Sequence, residues 1–90
     1  MVIPTYEKDP DAVLDYQHDW TAWLNGDTIV TSNWIVPAGL TLVTDTKTAA
    51  TTTVWLSGGT IGVTYRVVNR VTTAGGRTDD RSLFLKIMER

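Results

Sequence analysis

His18 is the one histidine in this 90-residue chain, so acid–base chemistry at neutral pH would have to start there. A hydrolytic triad needs a nucleophile held by that histidine and a carboxylate that orients it. Asp19 is its neighbour in sequence, but adjacent side chains of a strand point to opposite faces, so Asp19 cannot orient it. Ser32, Ser57 and Ser82 lack the Gly-x-Ser-x-Gly surroundings of a nucleophile elbow. His18 therefore reads as a partly buried or edge histidine. The acids Asp9, Asp11, Asp15 and Asp19 do not follow the spacing of a calcium loop, where several oxygens must converge on one point. With no cysteine there is no thiolate ligand, no cysteine nucleophile and no disulfide framework. These residues point to no catalytic, cofactor or metal site, and the reading is of a protein that is not an enzyme.

Binding chemistry has more to work with. "GRTDDRS" (Gly76 to Ser82) is the densest charge in the chain, and Arg77 and Arg81 could pair with Asp79 and Asp80 across a subunit interface. The bland alternative is a solvated loop whose pairs are worth about 0–1 kcal/mol each. Two glycines before Arg77 imply a defined turn, which favours the interface. Tyr6 and Asp9, on an N-terminal arm, are further candidate contacts. The four tryptophans could stack on sugars or bases, but a domain this small needs most of them inside. Trp34 and Trp55 are expected in the core. Trp23 breaks the local alternation and is the one expected to be exposed. "WLSGG" has the glycines of a phosphate loop without its lysine or its helix, so it reads as a turn.

The elements that must position these groups are strands. Thr, Val and Ile are abundant, and strict period-2 alternation recurs. In "LDYQHDW" Leu14, Tyr16, His18 and Trp20 share a face against Asp15, Gln17 and Asp19. In "IGVTYRVVNRV" Ile61, Val63, Tyr65, Val67 and Val71 oppose Thr64, Arg66 and Arg70. Turn signals at "NGD", "PAG", "SGG" and "AGG" divide the chain into strands near 13–20, 28–36, 40–44, 50–56, 61–72 and 81–88. The stretch 28–36 changes parity between Ile29 and Trp34, which predicts a bulge or bend. Thr51–Leu56 and Ile61–Thr73 read as the arms of a hairpin turning at Ser57, Gly58 and Gly59. Residues 1–12, with Pro4 and Pro10, read as an extended arm, and 13–90 as a single domain. Even spacing of short strands predicts an all-β sandwich or barrel, and the placement of Tyr65 near the start of a long strand after a turn favours an immunoglobulin-like antiparallel β-sandwich of six to seven strands.

Composition bounds the rest. Hydrophobic residues make up 42% and charged residues 20%, as in an ordinary globular domain. A net charge of −2 without clustered Lys and Arg gives no reason to expect nucleic acid. No apolar run approaches the roughly 20 residues that span a bilayer, and the start lacks the basic and apolar regions of a signal peptide.

The succession "KDPDAVLDYQHDWTAWLNGDTI", the Trp of "SNWIVPAGLT", "TTTVWLSGGT" and "TYRVVNRVTTAGGRTDDRS" resembles small structural proteins of tailed bacteriophages and prophages, in particular the phage fiber-tail adaptor proteins. The resemblance runs from Lys8 to Glu89. It implies an immunoglobulin-like domain without catalytic residues, made in the bacterial cytoplasm and built in several copies into the virion, where it joins tail or baseplate to fibers by protein–protein contacts. On that reading Arg77, Asp79, Asp80, Arg81, Tyr6, Asp9 and Trp23 face other virion proteins, and neither nucleic acid nor membrane is a partner. The alternatives are a capsid decoration or head–tail connector protein of the same fold, and a carbohydrate-binding β-sandwich that uses Trp23.

Overall fold

A computed structural model describes residues 3–89. Seven strands and one turn of helix follow in order: β1 (Thr5–Lys8), β2 (Leu14–Asp19), α1 (Thr21–Leu24), β3 (Ile29–Ile35), β4 (Leu40–Lys47), β5 (Thr51–Gly58), β6 (Thr64–Thr73) and β7 (Thr78–Ile87). They form two sheets, one ordered β1-β7-β6-β3 and the other β2-β5-β4. With β2 to β7 matched to B to G, these are the B-E-D and C-F-G sheets of an immunoglobulin-type sandwich, with β1 added in parallel beside the last strand. The expected fold class is what the chain adopts.

Alternation decides what lies between the sheets. Val54 and Leu56 of β5 and Val67 and Val71 of β6 are fully buried, as are Leu83, Leu85 and Ile87 of β7. Tyr16, Leu40 and Tyr65 complete the main cluster. A second cluster of Trp20, Leu24, Ile29 and Val71 closes one end of the sandwich. The parity change foreseen in 28–36 is a register shift between Ile29 and Thr31 against β6. The Tyr65 hydroxyl accepts the Thr60 amide at 3.0 Å, five residues upstream, as a tyrosine corner does. Gly39 presses on that ring: a Cβ there would lie 2.7 Å from the hydroxyl, at a φ of +103°.

The structure corrects several expectations. Thr51–Leu56 and Ile61–Thr73 are not arms of one hairpin. β5 pairs with β2 and β4, while β6 pairs with β3 and β7, so residues 59–63 cross from one sheet to the other. The reason is burial: crossing stacks Val54 and Leu56 against Tyr65 and Val67 across the core, where hairpin pairing would leave them side by side on one face. Gly59 makes the crossing where a Cβ would come 2.6 Å from Ile87. β6 begins only at Thr64, leaving Ile61 and Val63 exposed. "NGD" ends a helix rather than a hairpin, with Asn25 in the left-handed region at φ 47°. The fully buried indole is Trp20. Trp34 is half-buried against the main cluster, and Trp55 is 39% exposed on the outer face of β5 between inward Val54 and Leu56. Trp23, expected to be exposed, is half-buried.

Residues 5–8 of the expected arm pair with Phe84–Ile87. Lys8 is buried beside this ladder, and its Nζ donates to the Gly58 carbonyl at 2.7 Å and to the Asp9 carbonyl at 2.9 Å. Burial lowers its pKa, against the opposing charges of Asp9 and Asp11.

Candidate protein-interaction site

The charged segment is strand rather than loop from Thr78 onward, and its residues part by alternation. Asp80 turns outward, where the Arg70 guanidinium forks onto both carboxylate oxygens at 2.8 and 3.0 Å and holds the Asp80 pKa below its usual value. Arg81 turns toward the sandwich end, stacks 4.2 Å from the Trp20 ring and donates to the Asp19 carbonyl at 2.8 Å. Asp79 folds its Oδ1 back onto the Asp80 amide at 2.9 Å.

Arg77, before the strand, latches the helix end. It donates to the carbonyls of Trp23 at 3.1 Å and Leu24 at 2.7 Å, reaches Asp27 at 3.3 Å and lies 4.3 Å over the Trp23 ring. These carbonyls are among the orphan acceptors that any helix leaves at its C-terminus. Trp23 meets Trp20 edge-on at 5.2 Å, so two guanidiniums and two indoles form one cluster. Asp27 anchors the same corner. The Thr73 hydroxyl, then the Thr28 amide, with Gly75 and Arg77, hold its pKa down to about 2.

The arm residues sit elsewhere. Tyr6 pairs opposite Leu85 and meets the Tyr16 ring at a tilt of 47°, 5.1 Å between centroids. Asp9 lies beyond the end of the β1 ladder and its Oδ1 accepts the Asp11 amide at 2.9 Å. Tyr6 is thus opposite a residue five positions along β7 from Asp80, roughly 17 Å of strand. The structure does not gather the arm and "TDDR" into one patch; it strings them along one edge of the four-stranded sheet.

Other groups at this end were not singled out by sequence. Asn69 is fully buried, and its Oδ1 accepts from the Thr52 hydroxyl at 2.6 Å and from Trp20 Nε1 at 3.3 Å. Its Nδ2 donates to Ser32 Oγ and to the Asn33 carbonyl. The available signal was position: Asn69 falls between Val67 and Val71 on the inward face. His18 is 8% exposed and stacks on Trp34 at 5.5 Å with an interplanar angle of 10°. Its Nε2 has no hydrogen-bond partner. Burial, then the Arg81 charge, lowers its pKa, so the ring stays neutral near pH 7. A cleft of ≈390 Å³ opens here, lined by Ile3, Pro4, His18, Arg66, Asp80, Arg81 and Ser82. Among the described residues no three His, Cys, Asp or Glu side chains converge as metal ligands, and no helix is long and apolar enough to cross a membrane.

Comparison with known proteins decides the kinship. A family model described as podophage GP4 fiber-tail adaptor protein gp77 matches residues 8–86. The chain belongs to this adaptor family. Its fold is similar to the solution structure of the PKD domain from the KIAA 1837 protein, with a TM-score of 0.59 at 18% identity over 98% of this chain and 81% of that one. No curated protein sequence matches the chain. The family is one of fiber-tail adaptors, in keeping with a site built of strand edge, ion pairs and stacked rings.

Proposed function

We propose that this fiber-tail adaptor is a non-enzymatic virion subunit, present in several copies, that joins the tail to its fibers through protein–protein contacts. The observation that carries the reading is the family match over residues 8–86, which takes in both sheets from the end of β1 to all but the last residue of β7. Physically the fold suits the role. A sandwich with open sheet edges is a rigid spacer, and an edge strand offers unpaired N–H and C=O groups to a neighbour. The β7 edge with Asp79, Asp80 and Arg81, and β1 with Tyr6 and Asp9, are the proposed contact surfaces. Arg77 and Trp23 shape the adjoining corner and fix the angle at which it is presented. A sugar-binding use of Trp23 gains no support, because Arg77 covers one ring face and Trp20 packs edge-on against the indole.

The test is a phage carrying a gold-labelled copy of the chain, together with a deletion of its gene. Label at the junction of tail and fiber, with fiberless particles from the deletion, is expected. Label on the head surface or at the portal would instead mean decoration or head–tail connection, and label absent from particles would remove the chain from the virion.

A further inference from the structure

β1 covers only part of β7. It pairs with Phe84–Ile87, and no strand of the described chain pairs with the same edge from Thr78 to Leu83. The direction of the backbone groups follows from the ladder. Phe84 and Met88 donate toward β1, to the carbonyls of Pro4 and Lys8, whereas Ile87 donates to Val63 on the other side. Alternation therefore aims the N–H and C=O of Thr78, Asp80 and Ser82 at the uncovered edge. Pro4 has no N–H, so the parallel ladder stops there and leaves the Ser82 carbonyl without a donor from β1. The Asp80 amide is occupied by its neighbour's carboxylate, Asp79 Oδ1, a local cap that an incoming carbonyl can replace.

The ≈390 Å³ cleft lies along this open stretch, where Asp80, Arg81 and Ser82 form one wall and Ile3 and Pro4 another. Its charges are unbalanced. Asp80 is held by Arg70, while neither Arg66 nor Arg81 makes an ion pair among the described residues. Arg66 donates its Nε to Ser82 Oγ at 3.0 Å, which leaves the rest of its fork available. His18, more than nine-tenths buried, also lines the cleft, from the inner side of the sheet.

We infer that the open edge Thr78–Leu83 accepts an extended segment of a partner protein as an added strand, and that Arg66, on the outer face beside Ser82, pairs with an Asp or Glu side chain of that segment, while the flanking side chains on the inner face lie over His18 and Arg81. The backbone edge supplies affinity and the Arg66 guanidinium supplies the choice of side chain. The occupant is a protein segment rather than a free anion, because three edge-facing backbone positions adjoin the charged cleft. The inference rests on the adaptor reading for the partner's identity, though not for its chemistry.

The probe is a blocked pentapeptide, Thr-Val-Glu-Val-Thr, titrated into the full-length ¹⁵N-labelled protein and followed by amide shifts and the His18 ring resonances. Shifts confined to Thr78–Ser82, Arg66 and His18 are expected. A Gln peptide, or Arg66→Gln, should bind about tenfold more weakly. Asp80→Pro removes one edge-facing N–H and should abolish binding. Asp80→Ala loses the same ion pair but keeps the N–H and should bind more tightly than Asp80→Pro, which separates edge loss from side-chain loss. Matching thermal melts for the two variants control for folding. Shifts elsewhere, equal affinity for the Gln peptide, or binding retained in Asp80→Pro each overturn the inference. So does dimerisation of the free chain that Asp80→Pro abolishes, since the edge then seats a second copy. In phage particles, Asp80→Pro that still carries fibers overturns the edge assignment alone, whereas absence of the wild-type chain from particles overturns the adaptor role.

Discussion

Individual residues show where stability is concentrated. Trp20 is fully buried, with its Nε1 shared between Thr52 and Asn69. Trp55 faces solvent on the opposite side of its sheet from the core. We expect Trp20→Ala to cost about 3–5 kcal/mol and Trp55→Ala to stay within about 0.5 kcal/mol, measured by denaturant unfolding of the purified chain. Asn69→Leu should cost about 2 kcal/mol, because it leaves the Thr52 hydroxyl without its acceptor and Ser32 Oγ and the Asn33 carbonyl without their donor, while Trp20 Nε1 keeps only Thr52. Loss of only a few tenths would mean that water replaces the amide. Tyr65→Phe removes the corner hydrogen bond to Thr60 and should cost about 1 kcal/mol.

Among the elements, α1 is too short to be stable by itself and is held from outside. Arg77 bonds two of its terminal carbonyls, and Asp27 ties the following turn to Gly75 and Thr73. Arg77→Ala should speed amide exchange in residues 20–28 more than in β5 or β6; uniform acceleration would mean that the latch is global. Asp27 also has a pH signature. Its folded pKa, about 2, lies below the ordinary 3.8, so its contribution is present above 3.8 and is lost as pH falls through the folded value. Thermal melts between pH 4 and pH 2 should fall less steeply for Asp27→Asn than for the native chain. An unchanged slope would assign the acid sensitivity to other carboxylates.

For the molecule as a whole, the crossings between sheets decide which apolar faces meet in the core. Gly59→Ala combines a φ of +103° with a Cβ only 2.6 Å from the Ile87 side chain, at the crossing from β5 to β6. It should destabilise the sandwich by more than the roughly 1 kcal/mol of an ordinary glycine substitution. A cost below that would show that Ile87 moves aside freely.

Alternation along the chain set much of this architecture. Tyr16, His18 and Trp20 share one face, as do Tyr65, Val67 and Val71, and "AGG" turns the one hairpin that joins β6 to β7. The outward position of Trp55 was legible too, between two inward aliphatics, but its bulk suggested core. Three things depended on tertiary structure. Local turn chemistry is the same for a hairpin and for a crossing, so the sheet to which β6 belongs is set by which apolar faces can meet. Charge pairing is local in sequence only by accident: Arg77 reaches Asp27 and Arg81 reaches the Asp19 carbonyl, some fifty and sixty positions away. The open half of the β7 edge exists because β1, stopped by a proline, covers only the other half. Side-chain period is a property of neighbours along the chain; edges and clefts are properties of strands that pair across it.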